Sequence, residues 1–326
     1  MTDNLLEIRD LSVRFDTPSG PVRAVRGVSL VVPPRSIVGL VGESGSGKTT
    51  VVSAVIKLLA PNAVVEQGEI LYKGRDVLRL PPAELRALRG REIAMVFQDP
   101  MTALSPVHSV ARHMTDVLFR NGEPASAKRA RAVEMLRRVG IPDPDERIDH
   151  YPHQFSGGMR QRIAIAMALL VSPGLLIADE PTTSLDVTLE AQIIHLLREL
   201  RGAFHGSILF VSHNLGLIAE LCDSVVVMYA GEVLEAGSVH DVFHRPSHPY
   251  TQRLLECDPA RVGADWSGPL PTIPGDVPDL IRPPAGCVFA PRCGSVLARC
   301  LSERPEPVGV EPGHVARCHL LVPAGV

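Results

Sequence analysis

The sequence predicts an α/β fold built around a phosphate-binding loop, with a helical insertion and a small loop-rich C-terminal segment. Three observations predict it. A glycine loop stands between an apolar strand and a helix in residues 36–59. Later apolar runs alternate with helical stretches and end on polar residues, at Asp179-Glu180 and Ser212-His213. Fourteen of the 29 prolines lie in the last 81 residues, which marks a change of architecture near residue 245.

Composition bounds what such a chain can do. Its 326 residues suit one large domain with a smaller one, and 45% hydrophobic content is enough for a core. A net charge of −3 gives no basic field, so no nucleic-acid partner is expected. The longest apolar run, Ile163 to Val171, is too short to span a bilayer. Met1-Thr2-Asp3-Asn4 carries no basic region followed by an apolar stretch, so no signal peptide is expected. These features read as a cytoplasmic protein that a partner can hold at a membrane.

In chain order, Leu5 to Phe15 reads as a strand, Asp16 to Pro21 as a turn and Val22 to Val32 as a second strand ended by Pro33-Pro34. Phe15 is either a stacking surface for an adenine ring or core packing. Ser36 to Val41 is a buried strand. It leads into Gly42-Glu43-Ser44-Gly45-Ser46-Gly47-Lys48-Thr49, which fits G-x-x-x-x-G-K-[ST] at every fixed position. Gly42, Gly45 and Gly47, with Ser44 and Ser46 between them, let backbone N–H groups turn inward as an anion nest. The helix opening with Thr50 and running to Leu59, stopped by Pro61, adds its positive N-terminus. Lys48 can reach β- and γ-phosphates, and the Thr49 hydroxyl can ligate Mg²⁺. The competing reading is a glycine-rich turn without function.

Glu69 to Tyr72 is a short strand, Pro81 to Arg89 a short helix, and Glu92 to Phe97 a strand ending at Gln98-Asp99-Pro100. Residues 107–140 read as mostly helical, with Lys128 to Val139 amphipathic and stopped at Gly140, and Ile141 to Asp145 as a loop. Ser156 caps a helix that runs to Leu170, and Gly157-Gly158 leave its first N–H groups bare. The strand Leu175 to Ala178 delivers Asp179 and Glu180 at its C-terminal end, where ligands sit in open α/β sheets. Leu189 to Arg201 is a helix, and the strand Ser207 to Val211 ends at Ser212-His213. Ser224 to Tyr229 and Glu232 to Glu235 form a last strand pair, and the chain turns loop-rich beyond Val242.

Taken together these residues resemble the ATPase subunit of ABC transporters. Gly42 to Thr49 is similar to its phosphate loop, Gln98 to its metal-linking glutamine and Ser156-Gly157-Gly158 to its signature. Asp179 and Glu180 resemble the Walker B pair, Ser184-Leu185-Asp186 the D-loop and His213 the switch histidine. The resemblance covers residues 5 to about 240. A narrower likeness to the dipeptide/oligopeptide and nickel importer branch lies in Phe97-Gln98-Asp99-Pro100-Met101-Thr102, in Tyr151 to Arg162, in Ala178 to Thr183 and in His248-Pro249-Tyr250. Met159 stands where many ABC ATPases carry glutamine, a departure usual in this branch.

The resemblance implies an ABC-type nucleotide-binding fold: a RecA-like core, an antiparallel β subdomain and a helical insertion at about 100–172. It places the ATPase domain in 1–243 and a C-terminal extension in 244–326. It implies a transport-coupled ATPase on the cytoplasmic face of the membrane, with two transmembrane permease subunits, a second ATPase subunit and an extracytoplasmic substrate-binding protein. The cofactors would be ATP and Mg²⁺. Lys48 would meet the β- and γ-phosphates. Thr49, Gln98 and Asp179 would serve Mg²⁺. Glu180 would orient and deprotonate water, and His213 would hold the γ-phosphate and that water. Ser156, Gly157 and Gly158 would complete the site of another subunit. The implied cargo is a di- or oligopeptide. A nickel importer of the same branch, or a soluble ABC ATPase of repair or ribosomes, is the alternative.

Six cysteines occur, and four of them, Cys287, Cys293, Cys300 and Cys318, crowd the tail as C-x₅-C-x₆-C-x₁₇-C. In a reducing compartment this argues for metal or redox chemistry over disulfides. The spacing lacks the paired knuckles of structural zinc sites. A [4Fe–4S] cluster is therefore expected, a use that the resemblance also implies, with Zn²⁺ or free thiols as the alternatives.

Overall fold

The computed structural model describes residues 4–99, 103–119, 122–183, 185–258, 268–269 and 271–322. The chain forms two compact units, Met1–Arg79 with Phe210–Val326, and Leu80–Leu209. The strands in chain order are β1 (Leu6–Thr17), β2 (Gly20–Val32), β3 (Ile37–Val41), β4 (Ala63–Tyr72), β5 (Arg75–Asp76), β6 (Ile93–Val96), β7 (Leu175–Asp179), β8 (Ser207–Ser212), β9 (Ser224–Tyr229), β10 (Glu232–Ser238), β11 (Val308–Glu311) and β12 (His314–Ala316).

The first unit holds two sheets. One is antiparallel, in the order β2-β1-β4-β5. Leu6 and Ile8, and then Leu11 and Val13, of β1 turn to the core at the two-residue spacing of a half-buried strand, with a bulge between Ile8 and Leu11 that shifts the phase by one residue. β4 is longer than Glu69 to Tyr72, because its polar stretch pairs with β1 back to Phe15↔Ala63. Cross-strand pairing there overrides weak local propensity. In the other sheet β3 runs parallel to β9, β10 pairs antiparallel with β9, and β12 continues the order beside β10 with β11 outside it. β3 is buried at every position, as its unbroken apolar run requires.

The helix after the glycine loop spans Lys48–Val55 and stops four residues short of Leu59. The stop is a local closure and not Pro61. Lys57 takes a left-handed φ of 53°. Its N–H then meets Ala54 O at 2.9 Å, and the Leu58 N–H meets Ser53 O at 2.8 Å. These two bonds satisfy the last carbonyls of the helix.

The second unit pairs β6 with β7 in parallel, Ile93↔Leu175 through Val96↔Ala178. Its helices include Pro82–Arg91, Val110–Val117, Ala125–Arg138, Pro144–Arg147, Gly157–Leu170 and Val187–Ala203. The helix Ala125–Arg138 ends where Gly140 adopts φ 74°. The expected loop at Ile141 to Asp145 instead opens the one-turn helix from Pro144, the residue type favoured in a first turn.

The C-terminal segment belongs to the first unit and contains more regular structure than its prolines suggest. The helix Val239–His244 leads into it, the helix Pro249–Glu256 lies within it, and β11 and β12 form a hairpin. Glu235 on β10 ties these parts together and is fully buried. It accepts from Ser247 N at 2.7 Å, His248 N at 3.1 Å and His314 Nε2 at 2.8 Å. His248 then caps the next helix by accepting from Tyr250 N at 2.9 Å, and burial drives its pKa down to about 3. Glu235→Ala should leave the donors of buried His248 and His314, and that of half-buried Ser247, unpaired. At about 1–3 kcal/mol for each buried donor left without a partner, a stability loss of at least about 2 kcal/mol is expected in urea unfolding. Early proteolysis of the β11–β12 hairpin should accompany it.

Candidate functional site

In the first unit the glycine loop leaves the end of β3 and presses its backbone against two neighbouring strands. A side chain at Gly42 would place Cβ 2.0 Å from Met228 O, and one at Gly47, where φ is 99°, would place it 2.4 Å from Ala24 O. Only glycine allows that approach. Ser46 O accepts from Gly231 N at 3.0 Å and fixes the loop from a third side. No side chain caps the helix Lys48–Val55, whose N-cap is Gly47, so its first turn is built to receive an anion. Lys48 is buried, and its Nζ donates to Gly42 O at 2.8 Å and Glu43 O at 3.1 Å. The Ser46 hydroxyl is buried with no hydrogen-bond partner. An orphaned donor in an uncapped glycine loop fits a phosphate group. Ser44, Gly45 and Thr49 are exposed, and Thr50 is half-buried. Phe15 is half-buried between Val22 and Ala63. His213 follows β8 and is exposed. Next to it, Asn214 caps the helix Leu215–Leu221 by accepting from Gly216 N at 2.9 Å.

The second unit gathers the acids and the glutamine. β7 ends on Asp179, which is buried, and Glu180 follows with a left-handed φ of 45°. That conformation is strained for a glutamate. Gln98 Nε2 donates to Glu180 Oε2 at 3.2 Å, and Thr183 Oγ1 donates to the same oxygen at 2.9 Å. Ser156 caps the helix Gly157–Leu170, its hydroxyl accepting from Met159 N at 3.4 Å. Gly157 is exposed and Gly158 buried, close to the Leu189 side chain. Asp186 caps the helix Val187–Ala203 by accepting from Leu189 N at 2.9 Å. Ser184, Pro100, Met101 and Thr102 lie outside the described residues. This unit also carries an apolar groove of about 540 Å³ lined in part by Met95, Phe97, Val117, Phe119 and Met167.

The tail cysteines lie close together. Cys287, Cys300 and Cys318 are buried and Cys293 half-buried, and Cys287 N donates to Cys300 O at 2.8 Å. Burial pushes the Cys287 thiol up to about 11, and the neighbouring Cys300 and Cys318 act in the same direction. Among the described residues no group of three or more His, Cys, Asp or Glu is arranged to hold a metal ion. The expected zinc alternative thus finds no ready ligand set among the described residues. The same holds for the expected cluster as far as a ready-made metal site goes. Among the described residues, too, no helix is long and apolar enough to cross a membrane.

Sequence reasoning missed three residues around the glycine loop. Arg292 Nη1 donates to Glu43 Oε2 at 2.7 Å and to Tyr229 OH at 3.1 Å, and Glu43 N donates to Tyr250 OH at 3.1 Å. Arg292 lies 249 positions from Glu43, so no local pattern could reveal the pair.

Residues 25–183 match the family described as ABC transporter, and residues 234–300 match the oligopeptide/dipeptide transporter C-terminal region. A probable peptide ABC transporter ATP-binding protein of Sinorhizobium fredii is 46% identical over 97% of this chain and 95% of its own length. The oligopeptide transport ATP-binding protein OppD of Bacillus subtilis is 44% identical over 98% of this chain and 89% of its own length. The dipeptide transport ATP-binding protein DppD of Lactococcus lactis is 44% identical over 98% and 92%. Among solved structures, the dimeric ATP-binding cassette MJ0796 bound to ADP and phosphate has a TM-score of 0.64 at 25% identity, covering 72% of this chain and 98% of that one. Because the Gly42 Cβ position is already filled by Met228 O, Gly42→Ala should displace the loop. Its affinity for Mg·ATP by calorimetry should fall at least about tenfold, the equivalent of about 1.4 kcal/mol, while far-UV dichroism stays native.

Proposed function

The chain belongs to the ABC transporter family of ATP-binding subunits, and from that premise we propose that it powers the import of di- and oligopeptides across the cytoplasmic membrane. It is an ATPase coupled to transport. The observation that carries the peptide reading is the likeness over nearly the whole chain to subunits named for peptide, oligopeptide and dipeptide transport, tail region included. A soluble ABC ATPase would not need that tail.

The division of labour follows the residues. Residues 1–243 form the ATPase part and 244–326 the extension, with the helical insertion at about 100–172. The Gly42–Thr49 nest and Lys48 bind the phosphates, and Phe15 offers its ring to the adenine. Thr49, Gln98 and Asp179 would hold Mg²⁺, which supplies charge neutralisation at the β- and γ-phosphates when bound. Glu180 orients the attacking water and takes its proton, and Gln98 holds that carboxylate until the site is filled. His213 contacts the γ-phosphate. Most of the rate gain in such a reaction comes from positioning and charge stabilisation.

The N-terminus at Ser156, Gly157 and Gly158 completes the nucleotide site of a second ATPase subunit, and the apolar groove receives a permease segment. Two permease subunits and an extracytoplasmic binding protein complete the transporter, with this chain peripheral on the cytoplasmic face. Glu180→Gln should keep Mg·ATP affinity within about threefold of wild type and lower kcat of the assembled transporter at least about 100-fold, the range of a lost general base. Near-normal turnover with no second intact site present would refute the assignment.

For the tail we infer a [4Fe–4S] cluster on Cys287, Cys293, Cys300 and Cys318. A four-iron cluster takes one thiolate at each iron, so its donors need not share one centre as those of zinc must. What supports it is the mutual closeness of four thiols in a segment with many prolines and few apolar periodic stretches. Anaerobic preparation followed by iron, sulfide and zinc analysis is expected to give iron and sulfide in equal amounts with visible absorption near the cluster bands. Colourless, iron-free protein would end this reading.

A further inference from the structure

The phosphate loop contains an acid at the place where an anion is meant to bind. Glu43 follows Gly42 directly, and its backbone forms part of the nest. Its carbonyl accepts from Lys48 Nζ at 3.1 Å and from Ser46 N at 3.1 Å, so its main chain sits within reach of the loop's own cation. A free carboxylate here would repel phosphate and compete with it for the Lys48 ammonium.

The side chain is instead drawn away by the tail. Arg292 Nη1 bonds Glu43 Oε2 at 2.7 Å, and Arg292 is itself 6% exposed against 24% for Glu43. The guanidinium has little freedom. Its Nε donates to Pro274 O at 3.1 Å, its Nη2 to Ile273 O at 2.8 Å, and its Nη1 also to Tyr229 OH at 3.1 Å. Its plane lies over the Tyr229 ring at 5.6 Å. Three residues before it, Phe289 packs edge-on to Tyr229 at 5.4 Å and to Tyr250 at 5.3 Å. Tyr250 in turn accepts from Glu43 N. The fork of Arg292 is thus fixed before any ligand arrives, and lysine could not reproduce its bonds.

We propose that Arg292 is a positioning residue for ATP binding: it holds the Glu43 carboxylate out of the phosphate nest and so makes nucleotide affinity depend on the cysteine-rich tail. This rests on the reading of Gly42–Thr49 as the phosphate site. Arg292 directly precedes Cys293, so whatever changes the order of the segment Cys287–Cys293 reaches the loop through this bridge.

The test uses the full chain, with Mg·ATP binding followed by calorimetry and turnover measured in the assembled transporter. Wild type must bind Mg·ATP; if it does not, the reading of the loop fails first and separately. Arg292→Ala is expected to bind Mg·ATP about tenfold more weakly, the effect of about 1.4 kcal/mol of freed charge. KM should rise by the same factor with kcat within about twofold, as for an interaction lost equally from ground and transition states. Arg292→Lys should recover part of the loss. The decisive arm is Glu43→Gln in the Arg292→Ala background, which removes the freed charge and should restore affinity to within about threefold of wild type. A tail that merely packs against the domain would show no such rescue. Unchanged affinity in folded Arg292→Ala, or a loss that Glu43→Gln does not repair, overturns the proposal. If Arg292→Ala does not fold, Arg292→Gln takes its place. Failure of both to fold even with Glu43→Gln also counts against it, since Arg292 would then hold the fold and not the loop.

Discussion

The constraint on which the first unit depends is the close approach of the phosphate loop to two backbone carbonyls. Met228 O occupies the space of a Gly42 side chain, and Ala24 O that of Gly47. One carbonyl belongs to β9 and the other to β2, so the loop is wedged between strands of two different sheets. The turn between β9 and β10 closes the wedge. Gly231 N donates to Ser46 O at 3.0 Å, and Gly231 O accepts from Arg26 N at 2.8 Å. The nest is therefore formed by the sheets and not by its ligand, and the cost of ordering it is met on folding. The parallel register of β3 with β9, Val38↔Ser224 to Val41↔Val227, is what brings Met228 to the loop.

Much of this was legible in the sequence because it is local. The glycine loop, its strand and its helix are contiguous, and so are Ser156 with its capped helix and β7 with Asp179 and Glu180. Each carries its own periodicity or capping signal. The length of β4 was not legible. Glu66-Gln67-Gly68 reads as a break, and only pairing with β1 makes it strand. The end of the helix at Val55 was hidden too, since Lys57 is not a residue that advertises a left-handed turn. The β11–β12 hairpin is too short to show a period, and its strand character comes from β10 beside it.

The tail illustrates the same limit at longer range. Its prolines and cysteines mark it as irregular, which overlooks the helix Pro249–Glu256, the β11–β12 hairpin and the contacts that order the rest. Glu235 collects donors from Ser247, His248 and His314, and Phe289 joins the ring cluster of Tyr229 and Tyr250. These contacts join residues far apart in sequence, and no window of residues encodes them. The cysteines show why spacing alone is a weak guide to metal chemistry. It brings the thiols near one another, but ligand geometry also requires that they be aimed and deprotonated. Burial works against the second of these, as the raised pKa of Cys287 shows.

The electrostatics of the loop follow from which acceptors each charge is given. Lys48 is buried, and an ammonium removed from water must be hydrogen-bonded. Here two of its partners are neutral carbonyls, Gly42 O and Glu43 O. An arriving phosphate offers charged oxygens in their place, and bonds between ionised partners are about twice as strong as neutral ones. The gain on binding is this exchange of neutral for charged acceptors, not the full strength of a new ion pair. It exists only while no carboxylate has already claimed the ammonium. The loop's own carboxylate is that of Glu43, and its partner is a guanidinium anchored on Ile273 and Pro274. The loop thus gives its own acid a strong partner outside the nest, so that this carboxylate does not compete with a phosphate for the loop's cation.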